Sequence, residues 1–569
     1  MLNTDKWGCR QIAAALNTFG ISQVVTSPGS RNAPLIMAVQ RHPALHVYSV
    51  IDERSAAFIA LGMAEISAKP VALICTSGTA LLNYAPAVAE AYYKNIPLIV
   101  ISADRPREWI DQADSQTMRQ PGALANIVKG SYAIKGEAEN ENDKWYVNRT
   151  INDAIINATH NYPGPIHLNV ALDAPLTTET ECGNYEQFRK ISCITLPNSL
   201  PTTMARELCA ELRNKKILIV GGFQQPVAAV NRSMSILATL PNVAIMAEAL
   251  ANIHCHNIIT NVDATLASIS QKDYDTLRPD ILITFGGAIV SATLKTFLRN
   301  IHPTEHWHVG KTPNVVDCYK SLTRRVDITP EGFFPKMATS LAHLTKIGKN
   351  SDAYAQQWQA KATQCENATS IFRKNWNGPH AVQKIINAMP SNWNLQVSNG
   401  MSVRYAQLSN TLRVHRIDGN RGVSGIDGSV STAVGAAINY SKPTLLITGD
   451  MSLQYDLGAL TSNYITPNLK IVVMNNNGGG IFHFVKTTAT LPELPQLFNG
   501  MMKLPVKQLA EAFGFKYLCA NDYATLKTAF AQLIKTDNQP VMMEVITDSH
   551  TDAEIMKEFY EQYSLVELD

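Results

Sequence analysis

Charge is scarce in this 569-residue chain: Asp, Glu, Lys and Arg together make up 17%, below the roughly 25% usual for globular proteins. Neither sign prevails, with 49 basic and 47 acidic side chains and a net charge of +2. The lopsided basic footprint that nucleic acid or an anionic membrane surface demands is therefore missing. No apolar run nears the ~18–20 residues of a membrane span, and the first ten residues, MLNTDKWGCR, hold no hydrophobic signal core. The nine cysteines are odd in number and scattered from Cys9 to Cys519. That argues against a disulfide framework and for reduced thiols in a cytoplasmic protein. Gly-x-Ser-x-Gly, His-Glu-x-x-His and Walker motifs are all missing, as are short repeats and low-complexity tracts. What is plentiful is apolar residue, at 46%. A chain with few charges and ordinary hydrophobicity is expected to bury much of its surface, in a large core or between subunits.

Short β-branched apolar runs alternate with helix-length segments in three series. The first contains residues 46–50, 71–75, 98–102 and 166–170; the second 217–220, 243–246, 281–285 and 307–309; the third 395–397, 444–448, 471–474 and 541–545. Continuous apolar strands of about five residues read as parallel strands buried on both faces. Polar stretches at 177–201, read as a linker, and at 346–361 separate the series. The expectation is an α/β protein with three doubly wound parallel-sheet domains, at 1–178, 196–345 and 360–569, which fits the length prior of roughly 150 residues per domain.

The segment LLITGDMSLQYDLGALTS…LKIVVMNNNGGGIF carries the most chemistry. One strand ends in Gly449-Asp450, a helix follows, and the next strand ends in Asn475-Asn476-Asn477-Gly478-Gly479-Gly480. Both clusters lie at the carboxyl ends of parallel strands, where open α/β sheets bind ligands. A carboxylate, an amide oxygen and backbone carbonyls are hard donors suited to Mg²⁺ or Ca²⁺ rather than zinc. Glycines admit a phosphate close to the backbone, and a helix start favours an anion. Either half alone is an ordinary strand-to-turn junction or loop. Together, at equivalent strand ends, they imply a metal-diphosphate site.

This spacing resembles the fingerprint of the thiamine-diphosphate-dependent enzymes, a Gly-Asp-Gly followed some two dozen residues later by Asn-Asn. The sequence departs from it at Met451, where a larger apolar residue is usual in one branch of the family. The resemblance implies that Asp450, the side chain of Asn476 and the carbonyl of Gly478 are the Mg²⁺ (or Mn²⁺) ligands. It also implies cofactor contacts from Thr76, Asn399, Gly400, Ile426, Met451, Ser452 and Ile481. The three domains become a pyrimidine-binding, a central and a diphosphate-binding domain. Thiamine chemistry further needs a glutamate at the pyrimidine N1′. The family match is Glu53 in SVIDERSAAFIALGMAE, although a carboxylate there also suits a helix N-terminus. In relatives this glutamate reaches a cofactor held by a partner chain, so a homodimer or dimer of dimers with active sites between subunits is implied.

Polar clusters at other strand ends bear on the substrate. They are Thr26-Ser27-Pro28-Gly29-Ser30-Arg31, Ala103-Asp104-Arg105-Pro106 and the run 114–122, DSQTMRQPG, whereas Thr76-Ser77-Gly78-Thr79-Ala80 resembles the family's pyrimidine-side loop and reads nearly as well as a polar turn opening a helix. The third series adds the run 398–404, SNGMSVR, and the run 419–428, GNRGVSGIDG. Arginine binds carboxylates in bidentate geometry, so several arginines in one cleft predict substrates with several carboxylates; each alone could be a surface ion pair. In order and spacing these motifs are similar to the branch that decarboxylates 2-oxoglutarate and adds the succinyl carbanion equivalent to isochorismate, in menaquinone biosynthesis. The resemblance places Ser30, Arg31, Arg105 and Gln116 on the acceptor side and Arg404 and Arg421 on substrate carboxylates. Ile426 becomes the wedge that bends the cofactor, and Ile481 and Phe482 line the reacting face.

The middle series departs most. Where some relatives carry a Lys-Arg pair, this chain has Ala292 and Thr293, with Lys295 following, and the substrate contact is either lost or taken over by Lys295. No complete G-x-G-x-x-G follows its strands, so NAD or FAD is not expected. His254-x-His256 and His306-x-His308 lack completing ligands and read as structural. Two other readings stay open. One is a different thiamine enzyme, such as an acetolactate synthase or oxalyl-CoA decarboxylase, which predicts an FAD or CoA site. The other is a decayed, non-catalytic scaffold, which should have lost Glu53 or Asp450.

Overall fold

Apolar strands bury both faces only when layers cover them on each side, and the strands here are placed accordingly. The computed structural model describes residues 2–182, 186–270, 272–347, 353–365, 368–499 and 503–561. It divides into two compact units. Unit 1 comprises Met1–Thr195, Gly422–Ser441 and Tyr455–Thr466; unit 2 comprises Leu196–Arg421, Lys442–Gln454 and Pro467–Asp569, of which residues 562–569 lie outside the described residues.

Unit 1 holds a six-stranded parallel sheet in the order His46–Ser49, Gln23–Thr26, Val71–Cys75, Leu98–Asp104, Ile166–Ala171 and Ser131–Lys135. Its helix Glu53–Ser67 lies against the helix Ser429–Asn439 so closely that each needs a glycine at the crossing. A Cβ on Gly62 would stand 2.1 Å from the Thr432 carbonyl oxygen, and one on Gly435 would stand 2.0 Å from that of Ile59.

Unit 2 holds two parallel sheets. The five-stranded one runs Val243–Ala247, Ile217–Gly221, Ile281–Phe285, Glu305–Val309, Arg324–Val326. Its strands divide their side chains between two cores: Ile217 and Ile219 point into one, Leu218 and Val220 into the other. The six-stranded sheet runs Arg416–Asp418, Asn394–Val397, Thr444–Gly449, Leu469–Asn475, Val541–Ile546, Lys516–Ala520. Parallel strands covered on both faces explain the near-continuous apolar runs, and the three-sheet α/β class stands as expected from sequence.

Two polar stretches hold more structure than their composition suggests. Within 177–201, of which 183–185 lie outside the described residues, Glu179–Glu181 pairs antiparallel with Leu2–Thr4. Glu186 accepts hydrogen bonds from Arg10 Nε at 2.6 Å and Gln11 Nε2 at 3.0 Å, and Phe188 is buried against Phe19. Within 346–361, of which 348–352 lie outside the described residues, the helix Tyr354–Cys365 begins. It drives Tyr354 and Trp358 into the core of the second sheet.

Candidate active site

In unit 1 the strand-end loops meet one another. Glu53 is the first residue of its helix, and Asp52 caps that helix by accepting hydrogen bonds from Arg54 N at 2.9 Å and Ser55 N at 3.3 Å. Glu53 is therefore left half-buried and not consumed as the cap. Its carboxylate lies near the end of the strand Val71–Cys75: burial first, and Glu53 second, push the Cys75 thiol up. The loops at 27–31, 76–80 and 114–122 are stacked. Gly29 packs on Thr76, with room for no side chain between them, since a Cβ would lie 2.4 Å from Thr76 Cβ. Ser77 Oγ donates to the Gln116 carbonyl at 2.9 Å while Gln116 Nε2 donates to the Ser77 carbonyl at 3.2 Å. Gln116 holds a left-handed backbone, φ +54°, and Gly78 beneath it has φ +81°.

Two of the arginines converge here. Arg31 Nη1 donates to the Leu172 carbonyl at 2.9 Å, and Arg105 pairs with Asp114 at 2.5 Å. Burial, and then the neighbouring Arg105 guanidinium, lower the affinity of Arg31 for its proton. Two partly desolvated cations side by side favour an anion, and the Asp114 carboxylate that pairs with Arg105 also steadies the charge of Arg31. Ser30 is exposed at the same loop.

The loop 422–428, which carries Ile426, belongs to unit 1. Its start is fixed by Glu90, a buried glutamate that accepts hydrogen bonds from Gly422 N at 2.6 Å and Val423 N at 2.8 Å. Ile426 is half-exposed. Nothing in the sequence singled out Glu90, which reads as a surface residue of AVAEAYYK.

In unit 2 the two halves of the fingerprint are bonded to each other. Asp450 begins the helix Asp450–Tyr455, with Oδ1 accepting from Met451 N at 2.7 Å and Oδ2 from Gly478 N at 2.8 Å. Gly479 N is 3.0 Å from Met451 Sδ, so the departure from glycine at 451 supplies a further tie between the loops. Asn477, Gly478 and Gly479 are consecutive left-handed residues, φ +64°, +90° and +54°. Asn and Gly tolerate that conformation and other residues resist it. Burial raises the Asp450 carboxyl, an arrangement that a divalent cation would relieve. The Asn476 amide lies near the buried carboxyl of Asp552 and works against the rise that burial imposes on it; its Oδ1 is the oxygen it can offer a metal. One carboxylate, one amide oxygen and the Gly478 carbonyl make an oxygen set that fits Mg²⁺ with water and phosphate completing the shell. Ser452 is buried in the same helix turn; Ile481 and Phe482 are half-buried in the helix Gly480–Phe484.

Asn399 joins two more loops of unit 2, its Nδ2 donating to the Asn420 carbonyl at 2.6 Å and its Oδ1 accepting from Arg421 Nη1 at 2.7 Å. Gly400, φ +85°, opens the helix Met401–Gln407, and Arg404 Nη1 donates back to its carbonyl at 2.6 Å. Burial lowers Arg404, opposed by Tyr560 and Asp263 nearby. Lys295 stands beside Arg421: burial and then that guanidinium lower it, against the pull of Glu248. Ala292 is exposed and Thr293 half-buried.

The His306 and His308 pair is bonded within the fold. His306 Nε2 and His308 Nδ1 meet the Thr284 hydroxyl at 2.8 and 3.0 Å, and burial lowers His306 to about 4. His254 N donates to Asn231 Oδ1 at 2.8 Å. No group of three or more His, Cys, Asp or Glu side chains suited to a metal occurs among the described residues, and no helix among them is long and apolar enough to cross a membrane. The Gly-Gly turns after Ile217–Gly221 and Ile281–Phe285 pack on each other, a Cβ on Gly222 falling 1.8 Å from the Gly287 carbonyl oxygen.

The chain is similar to known proteins along nearly its whole length. Residues 6–123 match the thiamine pyrophosphate enzyme N-terminal TPP binding domain and residues 398–545 match its C-terminal TPP binding domain. A protein of Porphyromonas gingivalis named 2-succinyl-5-enolpyruvyl-6-hydroxy-3-cyclohexene-1-carboxylate synthase is 36% identical, over 98% of this chain and 97% of its own. Proteins of the same name from Bacteroides thetaiotaomicron and Flavobacterium psychrophilum are 36% and 38% identical, covering 98% and 97% of this chain and 99% and 98% of theirs.

Proposed function

The chain belongs to the 2-succinyl-5-enolpyruvyl-6-hydroxy-3-cyclohexene-1-carboxylate synthase family of thiamine-diphosphate-dependent enzymes, and from that premise we propose that it decarboxylates 2-oxoglutarate and adds the succinyl unit to isochorismate. The products are CO₂ and 2-succinyl-5-enolpyruvyl-6-hydroxy-3-cyclohexene-1-carboxylate, a transferase reaction of menaquinone biosynthesis. The carrying observation is the adjacency of Arg31 and Arg105 in the loops after Gln23–Thr26 and Leu98–Asp104, strands separated by one other in the sheet. It suits an acceptor with two carboxylates.

Thiamine diphosphate, when bound, supplies the carbon nucleophile for loss of CO₂ from a 2-oxo acid. Asp450, Asn476 and the Gly478 carbonyl would hold Mg²⁺, or Mn²⁺, and through it the diphosphate. Glu53 would hold the proton shared with the pyrimidine N1′, and Thr76, Asn399, Gly400, Met451 and Ser452 would line the cofactor, with Ile426 against its face. Arg31 and Arg105, with Ser30 and Gln116, would orient the acceptor; Arg404 and Arg421 would take substrate carboxylates, Lys295 adding a cation beside Arg421. Ile481 and Phe482 would keep water from the reacting face.

The proposal extends to three domains at 1–178, 196–345 and 360–569, and to a cytoplasmic homodimer or dimer of dimers whose active sites lie between subunits. Ile51, two residues before Glu53, is 79% exposed in the single chain, which is what a subunit contact would cover. The test is incubation of the purified protein with Mg²⁺, thiamine diphosphate, 2-oxoglutarate and isochorismate, following isochorismate absorbance. Consumption that requires all four is expected. Turnover of pyruvate without consumption of isochorismate would assign the protein to a different thiamine-dependent carboligase.

A further inference from the structure

Gln120 is fully buried, with no side-chain atom left to solvent. Its Oε1 accepts the Gly78 N–H at 2.7 Å. At the other end of the same planar amide, Nε2 faces Asn169 Oδ1 at 2.8 Å, the Ala103 carbonyl at 3.0 Å and Ser102 Oγ at 3.3 Å. The polarity of this node is fixed by its surroundings. Asn169 Nδ2 donates to Asp104 Oδ2 at 2.8 Å, so its oxygen must face Gln120 and Ser102. Burial lowers His167 to about 4, so the ring is neutral, and its Nε2 lies 2.7 Å from Ser102 Oγ. The Ser102 proton goes to Asn169, which assigns the imidazole proton to Nε2. The Gly78 N–H and the strand-end acceptors are satisfied together only if Gln120 presents oxygen to Gly78 and nitrogen to the strand end. A carboxylate would offer acceptors at both ends and a lysine donors alone.

What Gln120 holds is the base of the acceptor face. Gly78 sits at φ +81°, and Gln116 packs on it so tightly that a Cβ there would lie 3.1 Å from Gln116 Cγ. At the other end, Asp104, tied by Asn169, accepts the Arg105 N–H at 2.8 Å. We propose that Gln120 is a positioning residue for acceptor binding: it sets Gln116 through Gly78 and Arg105 through Asn169 and Asp104, without itself touching substrate. The inference rests on the proposed function, in which Gln116 and Arg105 orient isochorismate. Removing one end of a buried amide's bonding leaves its former partners unsatisfied, and the loop backbone moves to satisfy them.

The test uses Gln120→Glu and Gln120→Met in the full chain with Mg²⁺ and thiamine diphosphate. Met has similar length and no polar atom for Gly78; Glu keeps that acceptor and loses the donor side. The KM for isochorismate should rise about tenfold or more in both, while the KM for 2-oxoglutarate and the cofactor dissociation constant stay within about twofold. A general loss of structure would move all three together. An unchanged isochorismate KM in a variant that melts cooperatively, or equal shifts in all three constants, overturns the inference. Should both variants melt below the assay temperature, Asn169→Ser withdraws one acceptor and keeps the Gly78 bond, and the same comparison decides. Failure of the wild-type protein to consume isochorismate would instead remove the proposed function, and this inference with it.

Discussion

The Asp450 carboxylate accepts the backbone N–H of Gly478 at 2.8 Å, so the two halves of the metal fingerprint, 28 positions apart, are held by the protein itself. Asp450 sits at a helix start, where backbone N–H groups and the dipole steady its charge, and the Asp552 carboxyl lies near the Asn476 amide. Partners that orient a ligand matter nearly as much as the ligand. Asp450→Ala should abolish Mg²⁺-dependent cofactor binding, and Asp552→Ala should weaken Mg²⁺ by about 10–100-fold. Calorimetric titration of Mg²⁺ into protein with thiamine diphosphate measures both. Unchanged Mg²⁺ affinity in a folded Asp450→Ala protein would remove the assignment.

Glu53 is spared from capping because Asp52 performs that role. Glu53→Gln should therefore leave the melting temperature and cofactor binding close to wild type while turnover falls by roughly 10²–10⁴-fold, the range for loss of a positioned proton-transfer group. Steady-state kinetics beside a thermal melt check this. Near-normal turnover would rule out the assigned role.

The crossing of Glu53–Ser67 with Ser429–Asn439 tolerates no side chain at Gly62 or Gly435, because the atoms that a Cβ would meet are backbone oxygens. Backbone cannot rotate aside as a side chain can. Gly62→Ala should cost about 1–3 kcal/mol through overpacking, outweighing the helix propensity alanine would add. A melting temperature equal to or above wild type would contradict the close packing.

Much of this architecture is legible from pattern. Residues 71–75 and 281–285 are strands with the bounds their apolar runs suggest, because a strand buried on both faces has no polar positions to blur it. Asp450 and Asn476 were visible for a related reason: a strand ending in a polar cluster marks the carboxyl edge of a sheet. Where pattern fails, tertiary pairing decides. Glu179–Glu181 has no apolar alternation and is a strand only because Leu2–Thr4 lies beside it. In Tyr354–Cys365 only three residues, Tyr354, Trp358 and Cys365, are buried, so its composition reads as polar. Glu90 and Gln120 look like surface residues in the sequence, since a buried polar side chain is defined by partners that are distant along the chain. The RQPG segment containing Gln120 stood out as a motif, and its partners give the reason.

Glu248 supplies a pH dependence. Its two carboxyl oxygens accept the N–H groups of Val290 at 2.6 Å and Ser291 at 2.7 Å, yet burial outweighs these bonds and raises it from 4.5 to about 7, with Asp263 adding repulsion and Lys295 opposing. The folded protein thus retains this proton to a higher pH than the unfolded chain does. The resulting stabilisation is complete below about pH 4.5 and is lost as pH rises through about 7, a swing of at most about 3 kcal/mol. Glu248→Gln cannot titrate, so it should lose less stability than wild type between pH 5 and pH 8, whatever its starting level. Melting temperatures of the two proteins across that window, at constant ionic strength, measure the difference. Parallel curves would mean that the proton leaves Glu248 at the same pH in the folded and unfolded chain.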